Sequence, residues 1–222
     1  MDGETFMNSV QAKPQPHGFD AEQGDIDLKT WLMAVNILLP VLSVGLSLAS
    51  GANERPAKDL AAASHQIHWP VGFEPNDADA FVHNEMWIKA PAIVIWGNLI
   101  NAGDWPGWYS NSLDVQVESS DRRTLQAKAA FTWKTFGFPI QSTIHEFVPF
   151  SRIGWFGNGT GIKAYHTWLI IEKEGGCQVI TEESQVGPSA IKFNIEQPTA
   201  MHDAHNWWLT ALKYRSEHSA SR

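Results

Sequence analysis

Basic residues are scarce in this sequence. Sixteen Lys and Arg stand against 24 Asp and Glu in 222 residues, a formal net charge of −8, and nowhere do the basic ones form a run. A surface that follows a phosphate backbone needs such clustering, so nucleic acid is excluded as a partner. Cysteine is scarcer still. The lone Cys177 cannot close an internal disulfide, and no Cys/His spacing suits a structural zinc, so the fold must stand on its apolar core. A phosphate loop is missing too: GNGTG, residues 157–161, lacks the lysine and the following helix, and reads as a hairpin tip. Within it, Asn158-Gly159-Thr160 is a glycosylation acceptor only in a secretory setting.

What the chain has in quantity is tryptophan. There are 11, ten of them at or after Trp69. A ring that large seldom buries completely and its N–H wants a partner, so clustered tryptophans imply a wide core or a ligand-facing wall. Trp105 and Trp108 stand together in GDWPGWYSN, residues 103–111, where two glycines and Pro106 allow no more than a turn of helix.

The length suits one domain with an extension. Residues 1–30 are polar and acidic without periodicity, the composition of a disordered tail. Residues 31–49, WLMAVNILLPVLSVGLSLA, carry no charge and are long enough to span a bilayer as a helix. The segment to residue 50 has three readings: a membrane anchor; a signal-like segment cleaved near SLASGA, despite its long acidic leader; or an apolar helix packed on the domain, or an upstream start not used in the cell. The first makes the protein membrane-associated, the last cytoplasmic. Lysines and arginines balance on the two sides and leave orientation undecided. Residues 51–80, with Pro56, Pro70 and Pro75, read as a linker holding one short helix around 58–64.

From Phe81 onward the pattern is strands and tight turns. Residues 81–90 favour an extended strand, and Pro91 opens a short helix with Ile95, Trp96 and Leu99 on its apolar side. Alternation predicts strands over 113–119, 125–133, 140–148, 152–156, 162–173 and 177–184. On the second of these Leu125, Ala127, Ala129, Phe131 and Trp133 share a face. The segment 189–216 reads as one long helix bent at Pro198, with Met201, Ala204, His205, Trp208, Ala211 and Leu212 in one stripe. Hairpin-connected strands framed by helices make an α+β domain over residues 81–217, followed by a tail, 218–222.

The phrases IKAPAIVIWGNLINAGDWPGW, FTW, VPFSRIGW, AYHTWLIIEKEGGCQVITEES and HNWWLTALK follow one another in that order. In this the chain from about Asn84 to Glu217 resembles the START-like helix-grip superfamily, and within it the SRPBCC or polyketide cyclase/dehydrase group. It departs at Gly176-Cys177, where many relatives carry Gly-Thr, and residues 1 to about 75 lie outside the pattern. The resemblance implies a seven-stranded antiparallel sheet curved around a long C-terminal helix, two short helices after the first strand, and an apolar cavity between sheet and helix. Members bind or transport lipids, sterols, hormones and polyketides, and only some catalyse, so fold alone does not name a reaction.

Alternation places Trp133, Trp155 with Ile153, and Trp168 with Ala164, His166 and Ile170 on inward faces, and the helix stripe adds Met201, His205 and Trp208. These, with His145 and with Trp105 and Trp108 at the mouth, are the candidate ligand-binding residues. A packed core without a void is the competing reading of the same rings. The polar candidates are His145 and Glu146, His166, Glu182 and Glu183, and His202 and His205. A cyclase-like site needs a base beside a carbonyl and a donor for the oxyanion, roles open to His166 and Glu183. His202 and His205, at i and i+3, offer two nitrogens without a matching carboxylate nearby, so no metal or other cofactor is assigned. The leading expectation is binding, and transport, of a hydrophobic small molecule or lipid. An acid–base enzyme and a partner-binding module with a filled cavity are the alternatives.

Overall fold

Strand patterning dominates residues 56–219, the part of the chain that the computed structural model describes. Every described residue belongs to one compact unit, residues 44–222. The acidic tail, the apolar segment 31–49 and residues 220–222 therefore lie outside the described residues. No helix among the described residues is long and apolar enough to cross a membrane.

Seven strands form one antiparallel sheet: β1 (Ala80–Ile88), β2 (Leu113–Val117), β3 (Ala130–Thr135), β4 (Phe138–Val148), β5 (Arg152–Gly159), β6 (Ile162–Lys173) and β7 (Gly176–Val186). The order β1-β7-β6-β5-β4-β3-β2 means that neighbours from β2 to β7 are also consecutive in sequence, while β1 crosses over to pair with β7. Between β1 and β2 come α1 (Ala92–Ile100) and a 3-10 helix (Ala102–Gly107). After β7 come α2 (Pro188–Glu196) and α3 (Ala200–His218). This is an α+β, helix-grip architecture.

Local chemistry explains most boundaries. The β3–β4 turn is Phe136-Gly137, both at positive φ (51° and 77°), the geometry of a two-residue hairpin turn that favours glycine. Pro91 precedes α1 in extended conformation, and α1 buries Ile95, Trp96 and Leu99. Pro198 separates α2 from α3, so the expected bent helix is two helices with Gln197 to Thr199 between them. The stretch 125–129 is not strand. Leu125 donates its amide to Ile100 O, Ala129 turns back on Gln126 O, and Lys128 sits at φ 65°. Leu125 is fully buried as an isolated plug, and Ala127, with little side chain to bury, stays exposed.

α3 lies against β1 and α1 and buries Met201, Ala204, His205, Trp208, Leu209 and Leu212. Polar contacts pin it along its length: Asn84 Nδ2 donates to His202 O (3.1 Å), Lys213 Nζ to Trp87 O (2.7 Å) and Asn98 Nδ2 to Ser216 Oγ (3.1 Å). The opposite face of the sheet is covered as well. Residues 56–79, read from sequence as linker, cross it: Ile67 packs on Leu169 and Ile180, and Trp69 on Phe81 and Tyr165. The short helix expected within this stretch spans 56–61. Polar side chains fasten the crossing segment. Glu182 accepts from Ser64 N and contacts His83 Nδ1, both at 2.6 Å; His68 meets Glu146 at 2.8 Å; and Asp59 meets His202 at 3.0 Å.

Candidate functional site

Period-two alternation decides which side chains meet beneath α3. On β6 it sends Ala164, His166, Trp168 and Ile170 to the concave face; on β7, Val179, Thr181, Glu183 and Gln185. His166 and Glu183 are direct partners in the β6–β7 register, and Trp155 is the β5 partner of His166. Gly157, Gly159 and Ala164 add almost no side-chain height to the middle of the sheet. A cavity of about 290 Å³ results between sheet and helices.

Its wall is apolar and aromatic on three sides. Trp133 and Trp155 rise from the sheet, Trp208 and Met201 descend from α3, and Phe138 and Phe193 border it near the β3–β4 turn and α2. Tyr109 stacks on Trp208 at 4.4 Å between ring centres. Burial pushes the Tyr109 phenol up, Asn111 donates to its oxygen, and the charge of Glu183 pushes it further up.

One end of the cavity is polar. There the Glu183 Oε2 lies 3.0 Å from His166 Nδ1 and 3.3 Å from His205 Nε2. Its other oxygen, Oε1, accepts from Gln185 Nε2 at 2.6 Å. His166 Nε2 and Thr181 Oγ1 are 2.9 Å apart, and the rings of His166 and His205 stack at 4.6 Å with planes 12° apart. The His166 Nδ1 is close to Oε2 without hydrogen-bond geometry, and His205 Nδ1 is buried without a partner. Burial pushes the His166 imidazolium down to about 4, against the upward pull of Glu183, so the ring is neutral at pH 7. For Glu183 burial pushes upward, but the neighbouring imidazoles of His166 and His205 together outweigh it and hold the carboxyl well below the usual range. The cluster is thus a carboxylate flanked by two imidazoles at the end of an apolar chamber.

Of the candidates read from sequence, Trp133, Trp155, His166, Glu183, Met201, His205 and Trp208 line this cavity. Others go elsewhere. Trp105 is fully buried behind the wall, its Nε1 donating to Leu99 O at 3.0 Å, and its ring touches those of Trp133, Trp155 and Trp208. Trp168 is also fully buried, supporting His166 from the far side at 5.7 Å. Trp108 turns away, under the Arg215 guanidinium at 5.9 Å, beside a separate and more open depression next to Ala211 and Tyr214. His145 points outward, against Phe156 and Tyr165. Glu146, Glu182 and His202 serve the crossing segment on the opposite face or edge. Sequence reasoning passed over Tyr109, Thr181 and Gln185. The last two lie two residues either side of Glu183, so strand parity was the available signal.

No protein-family model matches the chain, and no curated protein does. Solved structures do. The crystal structure of a hypothetical protein from Helicobacter pylori superposes at a TM-score of 0.64 with 29% identity, covering 69% of this chain and 98% of that one. The aromatase/cyclase Zhui from Streptomyces sp. R1128 matches at 0.53 and 13%, over 63% of this chain and 94% of its own. This is the START-like helix-grip fold. The di-domain aromatase/cyclase StfQ of the steffimycin biosynthetic pathway matches at 0.54 and 11%, over 64% of this chain and 52% of that one. At these identities the likeness to the two cyclases is one of fold.

Proposed function

We propose that this START-like domain binds a compact, ring-bearing hydrophobic molecule, with the guest's polar end against His166, Glu183 and His205. One observation carries the reading: an aromatic-walled cavity that ends in a single buried polar cluster. Such a pocket takes its affinity from the wall and its orientation from the few polar groups. A volume of about 290 Å³ favours a guest of one to a few rings over a diacyl lipid or a sterol, and speaks against a filled core. In the same proposal, residues 31–49 tether the domain to a bilayer.

Titration of the intrinsic tryptophan emission tests the binding. Small aromatic phenols and polyketide-like ring compounds are expected to quench it saturably, long-chain fatty acids and sterols weakly. A panel that leaves the emission unchanged at every concentration overturns the reading.

A second reading, acid–base catalysis on that guest, is favoured by the meeting of one carboxylate and two imidazoles at the end of an apolar chamber. Glu183 would take a proton next to a carbonyl and His166 or His205 would hold the oxygen. Two neighbours of the fold bear the name aromatase/cyclase, which makes aromatic polyketides the first substrates to try. His166→Ala and Glu183→Gln variants that turn over such a substrate as fast as the parent would remove those roles.

A further inference from the structure

The donor atoms at the polar end have the chemistry and spacing of a metal site. Two imidazole nitrogens and one carboxylate oxygen, from β6, β7 and α3, lie within 4.8 Å of one another. Two histidines and a glutamate are a donor set that binds Zn²⁺ and leaves its fourth position open. For Zn–N and Zn–O bonds of about 2.0–2.1 Å, tetrahedral ligands sit ~3.3 Å apart. The two edges that meet at Glu183 Oε2 are 3.0 Å and 3.3 Å. The third edge, between the two imidazoles, is no longer than 4.8 Å.

A second observation is independent of that spacing. His166 is 2% exposed, yet its Nδ1 has no hydrogen-bond partner, although the carboxylate is 3.0 Å away. A buried nitrogen left without a partner is open to a cation. The supporting contacts also agree. The other nitrogen of His166 is engaged by Thr181 Oγ1, which orients the ring, and the other oxygen of Glu183 is held by Gln185. The outer partners that usually orient metal ligands are thus in place for two of the three.

We propose that His166 Nδ1, Glu183 Oε2 and His205 Nε2 bind one divalent transition-metal ion, with zinc the best match, its open position facing the cavity. Resting on the cavity reading above, the ion selects among apolar guests those with an oxygen donor at one end: a phenolate, a carboxylate or a 1,3-dicarbonyl enolate. A guest without such a group lies in the same cavity and gains nothing from the metal.

The full chain, stripped with a chelator and then titrated with Zn²⁺ by calorimetry, is expected to bind one ion with submicromolar affinity. Co²⁺ in its place is expected to give the intense visible absorption of a four-coordinate site. His205→Ala and Glu183→Gln should each weaken binding at least tenfold, and His202→Ala, three residues along the same helix, should leave it unchanged. Should the first two variants not fold, ring ¹⁵N spectra of the parent decide. Zinc must shift Nδ1 of one histidine and Nε2 of another, and spare the remaining rings. No ion bound below about 0.1 mM, or equal affinity in all three variants, overturns the metal site. Quenching by an apolar guest in the metal-free protein reports separately on the cavity. Quenching retained without metal binding sinks the metal site alone, and metal binding without any quenching sinks the cavity reading alone.

Discussion

Adjacent carboxylates with opposite fates show how much one residue of strand parity decides. Glu182 and Glu183 are neighbours on β7, yet Glu182 faces outward to Ser64 and His83, while Glu183 faces the cavity between two histidines. Trp208 reaches further into the molecule than either. It stacks on Tyr109 and meets Trp105, Trp133 and Trp168 edge-on or tilted, so Trp208→Ala should cost about 3–5 kcal/mol in urea denaturation. A cost under about 1 kcal/mol would mean that the aromatic cluster does not hold α3 to the sheet. The tyrosines give a pH test. Burial raises the phenols of Tyr109 and Tyr165 above their ordinary value near 10. The native state therefore holds those protons more tightly than the unfolded chain. Their contribution to stability is complete below pH 10 and is lost as pH rises through the raised values. Spectrophotometric titration should show two phenols that ionise only above the ordinary range or on unfolding; three phenols titrating together near pH 10 would contradict it.

At the level of elements, the informative one is the segment crossing the outer face. Its prolines and polar residues made it legible only as linker, because the apolar contacts it makes come from single residues, Ile67 and Trp69, with no period to detect. Ile67→Ala is expected to cost about 2–4 kcal/mol, measured by urea denaturation, where a true linker would register almost nothing. The strands were readable where they are long and regular: β6 sorts His166 and Trp168 to one face from its pattern alone. They were not readable where geometry breaks the count. A register shift lies between Ile144 and Glu146 on β4, and it is there that His145 leaves the concave side before Phe147 returns to the core. The 3-10 helix has no usable period, so which of Trp105 and Trp108 enters the core could not be told from spacing. Elsewhere a small residue carries the information. A Cβ on Gly154 would collide with the Tyr165 hydroxyl, so Gly154→Ala should destabilise by about 1–3 kcal/mol, read from the shift in urea midpoint. Ala164→Leu, by contrast, projects into the cavity and should abolish guest quenching with a stability change within about 1 kcal/mol.

At the scale of the molecule, the order of elements was legible because hairpin connections leave few alternatives for a run of strands. The polar cluster was not, since it needs β6, β7 and α3 docked at one register before its three members meet. The tether proposed for residues 31–49 has its own test. The full chain should sediment with membranes and a variant lacking those residues should not; equal solubility of both removes it. The pairing of β1 with β7 has a consequence for synthesis. Ile88 and Cys177 face each other across the sheet, as do Ala80 and Gln185. β1 leaves the ribosome long before its partner exists, while β3 to β6 can pair with their neighbours as they emerge. The first strand must wait as an unpaired edge, with its apolar side chains exposed, until β7 is made. The cavity, roofed by α3, comes into being only after α3 has emerged and docked.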